Sequence, residues 1–120
     1  MANRVSHFEI PAEHPEETMR FYQEVFGWQF EQFGTQEYWM AISGDENSPG
    51  INGAIMKPVM KGQPLINTIT VDNIADVLKK VVAAGGKILK PQQNIVGVGW
   101  LAFVADPDGN VHGVMKMLNK

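Results

Sequence analysis

The most informative absence in the sequence is cysteine, since the 120 residues contain none. Disulfide bonds, thiolate catalysis and cysteine-ligated zinc sites are therefore excluded. Long apolar runs and a signal-like N-terminus are also lacking, so we expect a cytoplasmic protein that does not enter a membrane. A large excess of one charge is absent too, because the formal net charge is only −3. Such a small charge argues against a nucleic-acid-binding surface.

The length and the hydrophobic content are those of one globular domain. The 120 residues, of which 44% are hydrophobic, are enough to bury a core. A single domain over residues 1–120 is therefore expected. Histidine is scarce, and the only three in the chain are His7, His14 and His112.

The stretch from Val5 to Phe30 predicts a strand, a helix and a second strand. Residues 5–10 alternate with a period of two, which is typical of a strand. Pro15 suits the first position of a helix and Gly27 suits the residue that stops one, so a helix is predicted over residues 15–26. Its apolar stripe is expected to consist of Thr18, Phe21, Tyr22 and Val25.

The rest of the first half predicts three short strands, at residues 28–33, 37–42 and 51–57. A polar loop at residues 43–50 separates the last two of them. Residues 58–64 contain a glycine and two prolines, and we interpret them as the linker between the two halves of the chain.

The second half repeats this order of elements. A strand at residues 65–71 precedes a helix at residues 73–84, which Asp72 or Asn73 can cap and which Gly85 and Gly86 end. The apolar face of this helix is formed by Ile74, Val77, Leu78, Val81 and Val82. Three further strands are predicted at residues 87–89, 100–105 and 111–117.

An offset of about 59 residues relates the two halves, since it superposes His7 on Ile66 and Gly27 on Gly86. Self-similarity at a fixed offset is the signature of a duplication, here carried by the order of elements more than by identical residues. The predicted fold class is α+β, with two tandem βαβββ units. The first unit is expected at about residues 3–58 and the second at about residues 64–118.

Three segments resemble the vicinal oxygen chelate superfamily: HFEIP at residues 7–11, FYQEVFGW at 21–28 and AFVADPDGNVHGVMK at 102–116. That superfamily includes glyoxalase, the bleomycin- and fosfomycin-resistance proteins and the extradiol dioxygenases. The resemblance covers nearly the whole chain. It implies curved sheets that enclose a cleft, with the helices outside, and it implies a homodimer. In glyoxalase-like members it also implies a divalent metal on four side chains, one from each of four strands.

The metal-ligand positions that the resemblance implies are mostly unsuitable in this chain. His7 matches the first position, but the strand at residues 51–57 contains no Asp, Glu or His. The third position is Ile66 and the last is Gly113. His112 is one residue off and is expected to face the helix layer, because adjacent strand residues point to opposite sides. We therefore expect no metal ligands and no cofactor, with a divalent metal as the less favoured alternative.

His7 and Glu9 share one face of the first strand and are the main candidates for binding a ligand. His7 is also the candidate catalytic base. We expect Glu9 to raise the pKa of His7 by favouring the imidazolium. This pairing suits proton abstraction, and it suits simple binding of a polar ligand equally well.

Three aromatic residues complete the predicted ligand-binding set: Tyr38, Trp39 and Trp100. Because strand residues alternate, only Trp39, or only Tyr38 together with Met40, can face the cleft. Packing in the core is the alternative role for these side chains.

The favoured function is that of a glyoxalase- or bleomycin-resistance-like protein with a degenerate metal site, which binds or acts on a small molecule in its cleft. One alternative is a metal-dependent lyase, isomerase or dioxygenase of the same superfamily. Another is an interaction protein with a vestigial cleft. Whether the protein is an enzyme stays open at this point. The expected partners are a small-molecule ligand and a second copy of the chain, with no nucleic acid and no membrane.

Overall fold

The computed structural model describes residues 3–118, which contain eight strands and two helices. In chain order these are β1 (Arg4–Pro11), α1 (Pro15–Phe26), β2 (Gln29–Gln32), β3 (Tyr38–Ile42), β4 (Gly53–Met56), β5 (Ile66–Thr70), α2 (Ile74–Ala83), β6 (Lys87–Ile95), β7 (Gly99–Ala105) and β8 (Val111–Met117). Residues 7–65 form the first compact unit, and residues 66–118 with residues 3–6 form the second. Neither helix is long and apolar enough to cross a membrane, as far as the described residues go.

The strands of the two units are ordered in the same way. In the first unit the order is β2-β3-β4-β1, with β1 parallel to β4 and the other neighbours antiparallel. In the second unit the order is β6-β7-β8-β5, with β5 parallel to β8 and the other neighbours antiparallel. The prediction of an α+β fold with two tandem βαβββ units is therefore confirmed.

The register of the parallel strand pairs repeats with the offset expected from the sequence. Glu9 pairs with Ala54 in the first unit, and 59 residues later Thr68 pairs with Gly113 in the second. The offset is larger for the next strand of each sheet. Met56 pairs with Tyr38 of β3, whereas Met115, which corresponds to Met56, pairs with Leu101 of β7, so Tyr38 and Leu101 are 63 residues apart. The extra residues lie in and around the longer β6. The duplication therefore preserves the sheet core and varies at a sheet edge.

Helix α1 begins and ends where its sequence predicts. Pro15 occupies its first turn, and Gly27 follows it in the left-handed conformation with φ of 74°. The predicted apolar stripe is only partly right, because Phe21 and Val25 are 53% and 56% exposed. The inward side chain is Tyr22, whose ring stacks on Trp28 with centroids 4.7 Å apart. Periodicity located the helix correctly but did not identify which of its apolar residues are buried.

Helix α2 covers the core of the second unit. Asn73 caps it by accepting a hydrogen bond from the Asp76 backbone N–H at 3.0 Å, so of the two predicted caps Asn73 is the correct one. Buried residues of α2 and of the strands beneath it form the core: Val71, Ile74, Ala102, Val104 and Val114. Val82, predicted on the apolar face, is 56% exposed.

Strand β6 is the main departure from the predicted elements. It runs through Pro91 to Ile95 as a nine-residue strand, whereas the sequence predicts a strand that ends at Leu89. It lies at the edge of the second unit's sheet beside β7, with shifts of register on either side of Lys90. An edge strand tolerates a proline, because one of its sides makes no ladder hydrogen bonds. Pro91 therefore does not end β6, although the sequence predicts that the strand ends before this proline.

The start of β1 belongs by its contacts to the second unit. The backbone N–H of Asn3 donates a 2.6 Å hydrogen bond to the carbonyl oxygen of Thr70. The hydroxyl groups of Ser6 and Thr70 are also hydrogen-bonded to each other. From His7 onward the strand belongs to the first unit and pairs with β4.

Candidate functional site

The first unit brings three polar side chains together on one face of its sheet. His7 and Glu9 are two residues apart on β1 and therefore point the same way. Glu9 pairs with Ala54 of β4, and the next strand, β3, places Tyr38 opposite Met56. Because residues that pair across strands share a face, Tyr38 lies on the same face as His7 and Glu9. We call His7, Glu9 and Tyr38 the polar triad.

The Tyr38 hydroxyl stands between the other two members of the polar triad. Its oxygen lies 2.8 Å from His7 Nε2, and its O–H donates to Glu9 Oε2 at 2.7 Å. His7 Nε2 and Glu9 Oε2 are themselves 3.9 Å apart, beyond hydrogen-bond distance. The His7 and Glu9 side chains are 24% and 16% exposed, so the triad is reachable from solvent but largely desolvated. Tyr38 therefore couples the two residues that the sequence predicted as a direct pair.

The electrostatics of His7 combine the effect of Glu9 with a larger effect of burial. Burial lowers the pKa of His7 below its ordinary 6.5, and this outweighs the opposing attraction of the Glu9 carboxylate. Glu9 thus acts in the expected direction, but the larger effect of burial reverses the net shift. Burial, the charge of Glu9 and the hydrogen bond to Glu9 all raise the pKa of the Tyr38 phenol. At neutral pH the triad therefore holds a neutral imidazole and a protonated phenol.

This shift predicts a pH dependence of stability. Because the folded state lowers the pKa of His7 below 6.5, the unfolded chain binds a proton more readily. The free energy of unfolding is then expected to fall as the pH drops below 6.5 toward the folded-state pKa of His7. The lowered pKa of Asp106, held down by hydrogen bonds from Asn110, acts in a separate window below 3.8.

The pH prediction is checked by urea unfolding of the wild type and of His7→Gln between neutral and mildly acidic pH. The wild type should lose stability below pH 6.5, and His7→Gln should lose measurably less. Parallel curves for the two proteins across this window would show that His7 makes no such contribution.

Trp39 lies on the opposite face of β3 from the polar triad. Trp39 pairs with Ile55 of β4. Gly53, two residues before Ile55 on β4, lies on the same face, and a Cβ built on it would lie 2.4 Å from the Phe8 ring. Ile55 and Gly53 therefore mark the face that carries Phe8. Of the two alternatives that the sequence left open, the geometry supports Tyr38 with Met40. Trp39 is not brought together with His7 and Glu9.

Trp100 belongs to the second unit, where it is the second residue of β7 and is 39% exposed. It alternates in step with the core residues Ala102 and Val104, so it lies on the face of β7 that carries α2. The other face of this unit lacks ionisable side chains at the positions where the first unit carries the polar triad. At the positions corresponding to His7, Glu9 and Tyr38 it has Ile66, Thr68 and Leu101.

His112 lies on the helix side of β8, as its position in the alternation predicts. Val114, two residues after His112, is part of the core on the helix side. Gly113 lies on the other face, where a Cβ built on it would lie 2.9 Å from the hydroxyl oxygen of Thr68. Gly113 has no side chain to offer a metal. His112 Nδ1 is buried with no hydrogen-bond partner among the described residues.

The donors present do not fit a glyoxalase-type metal. Within residues 3–118, no three His, Cys, Asp or Glu residues cluster closely enough to share an ion. His7 and Glu9 alone supply two donors, and both already bind the Tyr38 hydroxyl. On the same face, Met40, Ala54 and Met56 offer no oxygen or nitrogen side-chain donor. Glu31 of β2 also lies on this face, opposite Met40, but it does not complete a group of three donors with His7 and Glu9.

Two depressions of about 350 and 280 Å³ lie elsewhere, along residues 42–52. Gly27 and Gln29 complete the larger one, and the smaller is formed within the loop itself. Neither includes His7, Glu9 or Tyr38. Both are open surface features, whereas the polar triad combines partial burial with converging polar atoms. We therefore take the triad as the candidate functional site.

Comparison with known proteins agrees with this fold. The family model described as the Glyoxalase/Bleomycin resistance protein/Dioxygenase superfamily matches residues 4–112. A protein of Mycobacterium bovis named "Putative glyoxylase CFP32" is 35% identical over 102 residues. That alignment covers 79% of this chain but only 38% of the mycobacterial protein. The chain thus spans well under half the length of this curated relative.

Solved structures show the same fold at low sequence identity. The hypothetical protein BH1468 from Bacillus halodurans C-125 superposes with a TM-score of 0.72 at 13% identity, over 100% of this chain and 98% of that one. A glyoxalase/bleomycin resistance protein/dioxygenase superfamily member from Vibrio splendidus 12B01 gives 0.68 at 14% identity, over 96% of this chain and 99% of that one.

Proposed function

The chain belongs to the Glyoxalase/Bleomycin resistance protein/Dioxygenase superfamily, and from this premise we propose that it binds a small molecule at the polar triad without a tightly held transition metal. The observation that carries the proposal is the Tyr38 hydroxyl, which lies 2.8 Å from His7 Nε2 and 2.7 Å from Glu9 Oε2. An ion held between His7 Nε2 and Glu9 Oε2 would have to displace this hydroxyl, which supports binding without a metal.

The surroundings of the polar triad suit a partly apolar ligand. Met40 and Met56 lie on the same face and are half-buried, and the buried Ala54 lies between the triad strands. Methionine side chains adapt to the shape of what they contact. The polar head of a ligand would therefore bind at His7 and Glu9, and its apolar part would pack on the methionines.

His7 is the residue that would accept a proton if the bound molecule reacts. Its lowered pKa keeps the imidazole neutral near pH 7, as a general base requires. The alternative of a metal-dependent lyase, isomerase or dioxygenase needs more donors than this site supplies. We therefore place metal-independent binding, with His7 as the candidate base, ahead of it.

The experiment that tests this function is an NMR titration of the labelled protein in the presence of EDTA. Benzylamine, benzyl alcohol and benzoate serve as probes, because they share one ring and differ only in the polar head. We expect at least one of them to shift the backbone signals of β1 and β3. His7→Ala should weaken that binding roughly tenfold. Trp39→Phe, on the opposite face, is the control and should leave it unchanged.

Two results would contradict the proposed function. One is the absence of any saturable shift with all three probes. The other is binding that appears only after a divalent metal is added back, which would favour the metal-dependent alternative.

We also propose that the protein is a homodimer. Phe21, Val25 and Phe26 on α1 are all more than half exposed, a cost in free energy that a second copy would remove by covering them. Light scattering at micromolar concentration should therefore give twice the mass of 13.3 kDa. A monomer mass would rule the dimer out, and the residues on α1 would then be free for another partner.

A further inference from the structure

The direction of the hydrogen bonds in the polar triad carries information about the ligand. A tyrosine hydroxyl has one hydrogen, and a carboxylate has none to give. Tyr38 O–H donates to Glu9 Oε2, so its oxygen is left only as an acceptor toward His7. The 2.8 Å contact between this oxygen and His7 Nε2 must then be made by a hydrogen on Nε2. His7 is thereby held in the tautomer that carries its proton on Nε2.

This arrangement leaves the triad with acceptors and no donors. In the neutral Nε2–H tautomer, Nδ1 carries a lone pair and no hydrogen. His7 Nδ1 and Glu9 Oε1 have no hydrogen-bond partner among the described residues. Neither atom is fully buried, because His112 Nδ1 is the one fully buried side-chain atom without a partner in the described part of the chain. Both atoms therefore remain accessible as acceptors. The single hydrogens of the Tyr38 hydroxyl and of His7 Nε2 are used within the triad.

We propose that the polar triad selects a ligand whose polar head is a hydrogen-bond donor, either neutral or cationic: a hydroxyl, an amide N–H or an ammonium group. A carboxylate or a phosphate would bring a second negative group against Glu9 and would find no hydrogen to accept, so its binding is disfavoured at this partly desolvated contact. This inference rests on the proposed function and specifies its ligand class. It makes Glu9 the positioning residue of the site, because Glu9 sets the direction of both hydrogen bonds.

The first test uses the protein without any ligand. The ¹⁵N signals of the His7 ring, measured above the ordinary histidine pKa and assigned with His7→Gln, should show a protonated Nε2 and an unprotonated Nδ1. In Glu9→Ala the freed Tyr38 O–H can donate to Nε2, so the tautomer should change toward protonated Nδ1. Glu9→Gln keeps an acceptor oxygen and should retain the wild-type tautomer. A role in stability alone would shift the melting temperature without inverting the tautomer.

The second test compares the affinities of the three probes. Benzylamine and benzyl alcohol are expected to bind roughly tenfold or more tightly than benzoate. A stronger response to benzoate would overturn the ligand class while leaving small-molecule binding intact. Failure of all three to bind would instead overturn the proposed function. A protonated Nδ1 in the wild type would overturn the inference whatever the probes do.

Discussion

Gly53→Ala should lower the melting temperature of this protein by roughly 10 °C, equivalent to about 2–3 kcal/mol of unfolding free energy. An ideal Cβ at this position would lie 2.4 Å from the Phe8 ring and 2.5 Å from the Phe8 backbone oxygen. The ring can rotate away, but the backbone oxygen moves only if β1 and β4 separate. Since Gly53 is buried in the middle of the first unit, no other relief is available.

The matched control is Gly44→Ala, in the exposed loop that precedes β4. Its nearest neighbour would be the Ser48 hydroxyl at 3.3 Å, the mobile end of a short side chain. The control should therefore change stability by less than about 0.5 kcal/mol. Equal melting curves for Gly53→Ala and the wild type would show that β1 and β4 are not packed as described. Because Glu9 pairs with Ala54, the residue after Gly53, Gly53→Ala should also weaken binding at the polar triad.

Gly99→Ala is expected to have the largest effect in the second unit, at about 3 kcal/mol or more. Gly99 has a φ of 151°, which a residue with a side chain rarely adopts, and its Cβ would lie 2.1 Å from the Lys116 carbonyl oxygen. The two costs add, because the backbone of β8 and the backbone angle of Gly99 are both constrained by the β7–β8 pairing. Thermal or urea unfolding measures the loss.

Gly97→Ala separates the two contributions. Gly97 also has positive φ, at 80°, but its Cβ would meet no atom within 4 Å. It should therefore cost only the conformational term, about 1–2 kcal/mol. A loss for Gly99→Ala no larger than that for Gly97→Ala would mean that the collision with β8 is absent.

The order of elements was predictable because each boundary carries its own local signal. Pro15 and Gly27 delimit α1, and Asn73 caps α2, so both helices lie where the sequence predicts. The duplicated order also follows from the sequence, since an offset of 59 residues recurs in the pairing of Glu9 with Ala54 and Thr68 with Gly113. The helix-boundary signals act over a few residues, and the offset is visible in the order of elements before any packing is known.

Burial and edge position were not predictable in the same way. Phe21 and Val25 have the periodicity of a core face but are exposed, because the size of the surface beneath α1 is set by residues far away in the chain. The extension of β6 past Pro91 depends on that strand lying at a sheet edge. Neither property is encoded within a local window of sequence.

The candidate site was predicted in part. The sequence placed His7 and Glu9 on one face, and alternation reduced the aromatic candidates to Tyr38 or Trp39. It did not indicate that Tyr38 would stand between His7 and Glu9, since that depends on the register of three strands. The sequence indicated that Glu9 raises the pKa of His7, but it did not reveal the larger, opposite effect of desolvation, which depends on the folded surroundings.

Elemental analysis of the protein purified without chelator shows whether the polar triad operates without a resident metal. Wild type and His7→Ala are compared for zinc, nickel, manganese and iron. With only His7 and Glu9 as donors, and Tyr38 between them, any bound ion should exchange readily. Far less than one ion per chain is expected in both proteins. One ion per chain in the wild type, lost in His7→Ala, would contradict this expectation.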